Sequence, residues 1–278
     1  MSIPTFVYRP LEEQQIRILE IFPGSENYPI SRSLRPSDFG SGAKYEAVSY
    51  SWGTGSSARN LTILIDGCSI QVTANLKAAL KVFRREILSS LGEDNGDLNE
   101  ISKQLQKVAT DDPSLKRLLW MDALCINQQD NDKRNHQIQL MRTVYSQSIK
   151  LVVWLGEKSD DSDLAIDTAA EIISTIRKSE NGLKPWLEQQ PTSSLITKSC
   201  ALAKLFFRPW CSCAWILQEY VVTSKTEAIF YCERKKITGT GMKELFNAVD
   251  DILDNLYEQE QAALDCLPAY GDPHSWLK

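Results

Sequence analysis

The chain has 278 residues, 42% of them apolar and 24% charged, enough for one large domain or two small ones with a real core. Its net charge of -5 is spread along the sequence without a basic run, so a nucleic-acid-binding surface is not expected. The seven cysteines fall at irregular spacings without a CxxC pair, and both histidines, His136 and His274, sit in polar contexts, so no metal site is expected.

In chain order, "QIRILEIFPG" (15–24) places Ile16, Ile18 and Glu20 in alternation and ends at Pro-Gly, which predicts a strand. A Ser-, Pro- and Gly-rich loop (23–43) follows. "YEAVSYSW" (45–52) predicts a strand opening into the flexible "GTGSS". "NLTILIDGCSIQVT" (60–73) predicts a hairpin turning at Asp66-Gly67. Leu76, Ala79, Leu80 and Phe83 repeat at helical spacing within 74–88. Residues 89–116 are polar and acidic and read as an insertion.

"RLLWMDAL" (117–124) predicts a buried strand, and 130–148 a helix with Ile138, Met141, Val144 and Tyr145 on one side. "KLVVWLG" (150–156) is apolar throughout, as in a strand covered on both faces. Helices are expected at 161–178, 193–207 and over "CAWILQEYVV", then a strand at 227–232 and a long helix at 241–264. The tail "AYGDPHSWLK" reads as loose. The alternation predicts an α/β fold: a mainly parallel central sheet flanked by helices, with helical insertions and an added β-hairpin. No apolar run reaches the length of a membrane span. "MSIPTFVYRP" lacks the basic start and apolar core of a secretory signal, so an intracellular, cytoplasmic protein with reduced thiols is expected.

Three clusters carry chemistry. "SWGTGSS" follows a strand, and its small residues would let backbone N–H groups approach a phosphate, although it is neither GxGxxG nor a P-loop; a plain glycine turn is the alternative. "LWMDALCINQQD" sets Asp122, Asn127, Gln128 and Asp130 just after a strand. Asp122 lies where a ligand-binding carboxylate would sit, or simply holds a loop, and Asp130 suits a helix cap. In "RPWCSCAWILQE", Trp215 and Glu219 are four apart and share a helix face. That pair suits a ring-and-ribose ligand; the alternative is a core tryptophan with Glu219 paired to Arg208.

Together these segments resemble the fungal heterokaryon-incompatibility (HET) domain. Its "Y-x-A-(L/V)-S-Y-x-W-G" block is matched by Tyr45 to Gly53, and its "L-W-(I/M)-D-A-(L/I)-C-I-N-Q" block by Leu119 to Gln128. Where it has a "V-x-V-W-L-G" ending this chain has "VVWLG", Val152 to Gly156, and its "R-x-W-x-x-R-x-W-(V/I)-x-Q-E" block is matched by Arg208 to Glu219, with Cys213 where the family often has arginine. On this resemblance 1–278 is a single HET domain, with a motif core at 45–232, an N-terminal strand within 1–24 and a C-terminal helical extension at 239–264. The chain is then either a short member or an excised domain.

The resemblance implies programmed cell death on fusion of genetically different hyphae. A more distant likeness to TIR domains rests on "YEAVSYSWG" and "WILQE". It implies a TIR-like sheet and an enzyme that cleaves NAD, or a related nucleotide, as substrate and needs no further cofactor. Glu219 is then the catalytic carboxylate and Asp122 a second one. Ser51, Trp52, Gly53, Thr54, Asn127, Arg208 and Trp215 are the substrate-binding candidates. The partners implied are the nucleotide, further copies of the chain in an active homo-oligomer, and a regulatory or NLR-type protein. The alternatives are a non-enzymatic, self-associating death module and a nucleotide transferase or cyclase.

Overall fold

The computed structural model describes residues 3–23, 31–52, 61–90, 116–159, 161–212, 219, 223 and 227–259. Most of the insertion at 89–116, most of the segment 213–222, and residues 260–278 lie outside the described residues. The chain divides into two compact units, Met1–Glu157 with Cys213–Arg234, and Lys158–Ser212 with Lys235–Lys278.

The first unit is built on a mixed sheet. Its strands are β1 (Gln15–Ile21), β2 (Ser31–Asp38), β3 (Glu46–Tyr50), β4 (Leu61–Ile65), β5 (Cys68–Val72), β6 (Arg117–Trp120), β7 (Lys150–Trp154) and β8 (Glu227–Cys232). They lie in the order β5-β4-β2-β1-β6-β3-β7-β8. The central strands β6, β3, β7 and β8 run parallel, with Val48 opposite Val152 and Val152 opposite Ile229. Both faces of β7 are covered: Leu151, Val152, Val153 and Trp154 are fully buried, as its continuous apolar run requires. The outer strands add antiparallel pairs β1–β2, β1–β6 and β4–β5. The β4–β5 hairpin turns at Asp66 and Gly67, both at positive φ, the conformation that favours Asp-Gly at a two-residue turn.

The first-unit helices are α1 (Ala74–Ser90), α2 (Asp122–Cys125) and α3 (Asn131–Gln147). Leu76, Ala79, Leu80 and Phe83 of α1 are all buried. Asp130 caps α3 by accepting from the Lys133 N–H at 3.1 Å.

Four expectations are corrected. Residues 31–38, expected within a loop, form β2; the β1 ladder, running from Gln15↔Asp38 to Ile21↔Arg32, supplies the order that its polar sequence does not signal. The strand expected over 117–124 ends at Trp120, and α2 follows it. β1 does not alternate in burial: Ile16, Arg17, Ile18 and Leu19 are all buried. On α3, Ile138 is 38% exposed, whereas Gln137, Val144 and Tyr145 are buried. Gln137 Nε2 donates to the Gln15 carbonyl at 3.0 Å, which satisfies its burial.

At the amino ends of the parallel strands, Arg117 of β6 binds Glu46 of β3 through Nε at 2.9 Å and again through a second nitrogen. It also donates to Glu86 of α1 at 3.0 Å and lies over the Phe83 ring, while Tyr231 of β8 donates to the same Glu86 at 2.7 Å. Burial opposes the guanidinium charge, but Glu46, then Tyr231 and Glu86, outweigh it, and the Arg117 pKa is raised.

The second unit contains α4 (Ser162–Lys178), α5 (Lys184–Glu188), α6 (Thr192–Phe206), β9 (Lys235–Thr238) and α7 (Gly239–Gln259). Neither α5 nor β9 was expected from the sequence. Ala169 and Ile172 of α4, Leu195 and Leu205 of α6, and Leu245 and Ala248 of α7 are buried in it. No described helix is long and apolar enough to cross a membrane.

Candidate active site

The carboxyl ends of β3 and β6 hold a group of polar side chains, the position where open parallel sheets take ligands. Ser49, the one polar residue between Val48 and Tyr50, is 1% exposed. Its hydroxyl donates to Oε2 of Glu219. The Tyr145 hydroxyl of α3 hydrogen-bonds the same carboxylate and lies 3.3 Å from the Val48 carbonyl. Thr223 N–H donates to the Glu219 carbonyl at 3.3 Å, an i to i+4 bond that fixes the backbone at Glu219.

Asp122 opens α2 immediately after β6. Oδ1 accepts from the Ala123 N–H at 2.7 Å and Oδ2 from the Trp52 indole N–H at 2.9 Å. Trp52 is 42% exposed, so its ring is presented to solvent while its N–H is fixed. The carbonyl of Ser51 accepts from Asn75 Nδ2 at 2.7 Å, and Asn75 Oδ1 accepts from the Trp154 indole at 2.7 Å. The ends of β3 and β7 are thereby tied to the start of α1. A water-sized cavity of about 10 Å³ lies between Trp52, Tyr50, Val72, Leu76 and Ala123.

The electrostatics of Glu219 follow from this packing. Burial pushes its carboxyl up to about 7 from 4.5, and the nearby Asp122 charge adds to the rise, while Ser49 and Tyr145 oppose it by stabilising the anion. Within its unit the described partners of Glu219 are hydroxyls rather than cations. Tyr145 is raised well above its ordinary range, by burial first and then by the charges of Glu219 and Asp122. A carboxyl that ionises near neutrality can take up or release a proton at cellular pH. By contrast, burial pushes the Cys125 thiol up to about 12, which leaves it inert as a nucleophile.

The structure therefore brings Glu219, Asp122 and Trp52 together and fixes Ser51 beside them through its carbonyl. Asn127 serves its own loop, accepting from the Gln129 N–H at 3.2 Å. Arg208 belongs to the second unit, where it donates to Ser159 at 3.0 Å and to Ser162. Gly53, Thr54 and Trp215 lie outside the described residues. Ser49, Tyr145 and Asn75 were not singled out by the sequence reading. The buried serine inside an apolar strand was the available signal for the first; nothing in an apolar helix stripe indicates where a tyrosine hydroxyl points. Among the described residues, no cluster of three His, Cys, Asp or Glu side chains could hold a metal ion.

Residues 90–219 match the family model of the heterokaryon incompatibility protein (HET). Over these residues the chain is similar to a HET domain. The matched stretch runs from the end of α1 through Asp122 and α3 to Glu219. A relative, "Heterokaryon incompatibility protein 6, OR allele" of Neurospora crassa, is 28% identical over 158 residues, covering 49% of this chain and 22% of the relative. The match thus spans about a fifth of that protein's length. No solved structure matches the chain.

Proposed function

We propose that this chain is a HET domain that cleaves the bond between nicotinamide and ribose in NAD, or the equivalent bond of a related nucleotide, and serves a cell-death role in fungal allorecognition. The observation that carries the chemistry is Glu219: a largely buried carboxyl held by Ser49 and Tyr145, beside Asp122. The similarity to a heterokaryon incompatibility protein supports the biological role.

In this reaction the bond from C1′ to the pyridinium nitrogen breaks, and its electron pair neutralises the ring as nicotinamide leaves. Positive charge grows on the ribose, and a carboxylate at Glu219 stabilises it, as oriented charges do in buried sites. Water then attacks C1′, its proton passes to Glu219 and on to solvent, and the products are nicotinamide and the ADP-ribose fragment. Glycoside hydrolases use the same electrostatics. Asp122 keeps the indole of Trp52 in place, so that the exposed ring can stack on the nucleotide. Activity in a cytoplasmic homo-oligomer, under control of a regulatory or NLR-type partner, completes the proposal.

Incubation of the purified chain with NAD, at low and high protein concentration, with chromatography of the products, tests this reading. Nicotinamide release by the wild type but not by Glu219→Gln supports it, and a steep concentration dependence supports assembly as the trigger. A cyclic or transferred product in place of ADP-ribose would assign a cyclase or transferase. Full activity in a folded Glu219→Gln variant sinks the role of Glu219, and no release at any concentration leaves a non-enzymatic, self-associating module.

A further inference from the structure

A second concavity in the first unit, of about 300 Å³, shares no lining residue with the small cavity at Trp52. One wall is the N-terminal arm, which is laid against the edge strand β5. Phe6 N–H donates to the Ser69 carbonyl at 2.8 Å, and Ser69 N–H to the Pro4 carbonyl at 2.7 Å. Phe6, Leu11 and Leu34 give the concavity an apolar lining, and Arg9, Arg17, Arg35 and Asp66 give it charge.

Arg17 is the unusual member. It is only 6% exposed, yet its described partners are two carbonyls, Cys125 at 3.0 Å and Arg9 at 2.6 Å, and the face of Tyr8 at 5.0 Å. None of these carries a negative charge. A buried cation without a counter-ion is costly, and a guanidinium has five N–H donors, so the site has donors and charge to offer. Burial depresses the Arg17 pKa, as expected of a cation out of water. Around it stand two more arginines against one aspartate, and that aspartate, Asp66, lies 3.5 Å from Arg35. The lining is therefore net positive.

We propose that this groove binds a small organic anion, a carboxylate or monophosphate on a compact apolar body, with Arg17 as its buried counter-ion and Arg9 and Arg35 at its rim. The volume is at the small end for ligand pockets, which suits a body of about one aromatic ring rather than a nucleotide. A planar, bidentate donor is the usual partner of carboxylate and phosphate oxygens. The site is independent of the reaction proposed above, but it touches the same element. Arg17 holds the Cys125 carbonyl, and Tyr8 donates to the Leu124 carbonyl at 3.0 Å, so both grip the end of α2, whose first residue is Asp122. An anion drawing on the Arg17 donors competes with that grip.

Calorimetric titration of the full chain with phenylacetate, phenyl phosphate and the neutral phenylacetamide tests the proposal. At least one anion is expected to bind about tenfold or more tightly than the amide, and whichever anion binds better identifies the headgroup. The double variant Arg9→Gln/Arg35→Gln changes only exposed side chains and is expected to weaken that binding about tenfold, while Arg17→Gln abolishes it. Binding is also expected to shift the indole N–H resonance of Trp52. Equal affinity for phenylacetate, phenyl phosphate and phenylacetamide, no heat from either anion at millimolar concentration, or unchanged binding in the double variant would overturn the assignment, and the double variant decides even if Arg17→Gln does not fold.

Discussion

The two ends of the central parallel strands treat buried charge in opposite ways. At the amino ends, Arg117 sits between Glu46 and Glu86, and Tyr231 reaches the same Glu86 from the carboxyl end of β8; on the surface, Lys150 reaches Glu227 at 3.7 Å. Each acid there has a base. At the carboxyl ends, Glu219 is held by Ser49 and Tyr145 and pushed toward its neutral form by burial and by Asp122. The first arrangement holds the sheet together. The second opposes ionisation at neutral pH, which is how a fold keeps a carboxyl ready to exchange a proton. The same strands thus carry a structural end and a candidate reactive end.

The contrast makes the largest effect structural. Arg117→Met leaves Glu46 and Glu86 facing each other without their shared cation and is expected to destabilise the chain by about 3 kcal/mol, read by urea unfolding. A cost under about 1 kcal/mol would show that the network is solvated and the contrast overdrawn.

At the other end the sign reverses. Glu219 has a raised pKa in the folded chain, so the folded state binds its proton more tightly than the unfolded state does. Its contribution to stability is fully present below the unfolded value of 4.5 and is lost as pH rises toward about 7. Glu219→Gln, which cannot ionise, is therefore expected to be more stable than the wild type at pH 8, by roughly 2 kcal/mol.

Tyr145→Phe sharpens the same point on a smaller scale. It removes the hydroxyl that favours the Glu219 anion and leaves the Val48 carbonyl without that partner. A loss of about 1 kcal/mol in stability is expected. The alkaline shift of the Glu219 titration, followed by carboxyl NMR or by the pH profile of nicotinamide release, separates this from a purely structural role. Trp52→Phe is the mildest change, because the indole is partly exposed and the substitution removes its hydrogen bond to Asp122 while keeping an aromatic ring. About 0.5 kcal/mol is expected, with a larger effect on nucleotide KM than on kcat.

How far the sequence could be read follows from the same physics. β7 was legible because a strand buried on both faces must be apolar throughout, β3 because "YEAVSYSW" is rich in β-branched and aromatic residues, and the β4–β5 turn because Asp-Gly suits positive φ. β2 was not legible: "SRSLRPSD" has one leucine and an internal proline, and its order comes from pairing with β1, a contact between segments. β9, "KKIT", has one apolar residue and no period to read. Glu219 and Asp122 stood out because carboxylates beside apolar runs need a reason. Their partners did not, because Ser49, Tyr145 and Asn75 each fit an ordinary strand, helix or cap until the fold sets them against the site. Arg17 was hidden likewise, inside a strand that reads as alternating but is buried on both faces.

The most direct test of the central contrast is the unfolding free energy of wild type and Glu219→Gln measured in parallel from pH 4 to pH 9. The account predicts that the variant gains on the wild type as pH rises through the interval between 4.5 and about 7, and that the gap then stays level. A variant that is less stable throughout, by an amount that does not change with pH, would contradict it and make Glu219 a well-paired structural carboxylate like those at the opposite end of the sheet.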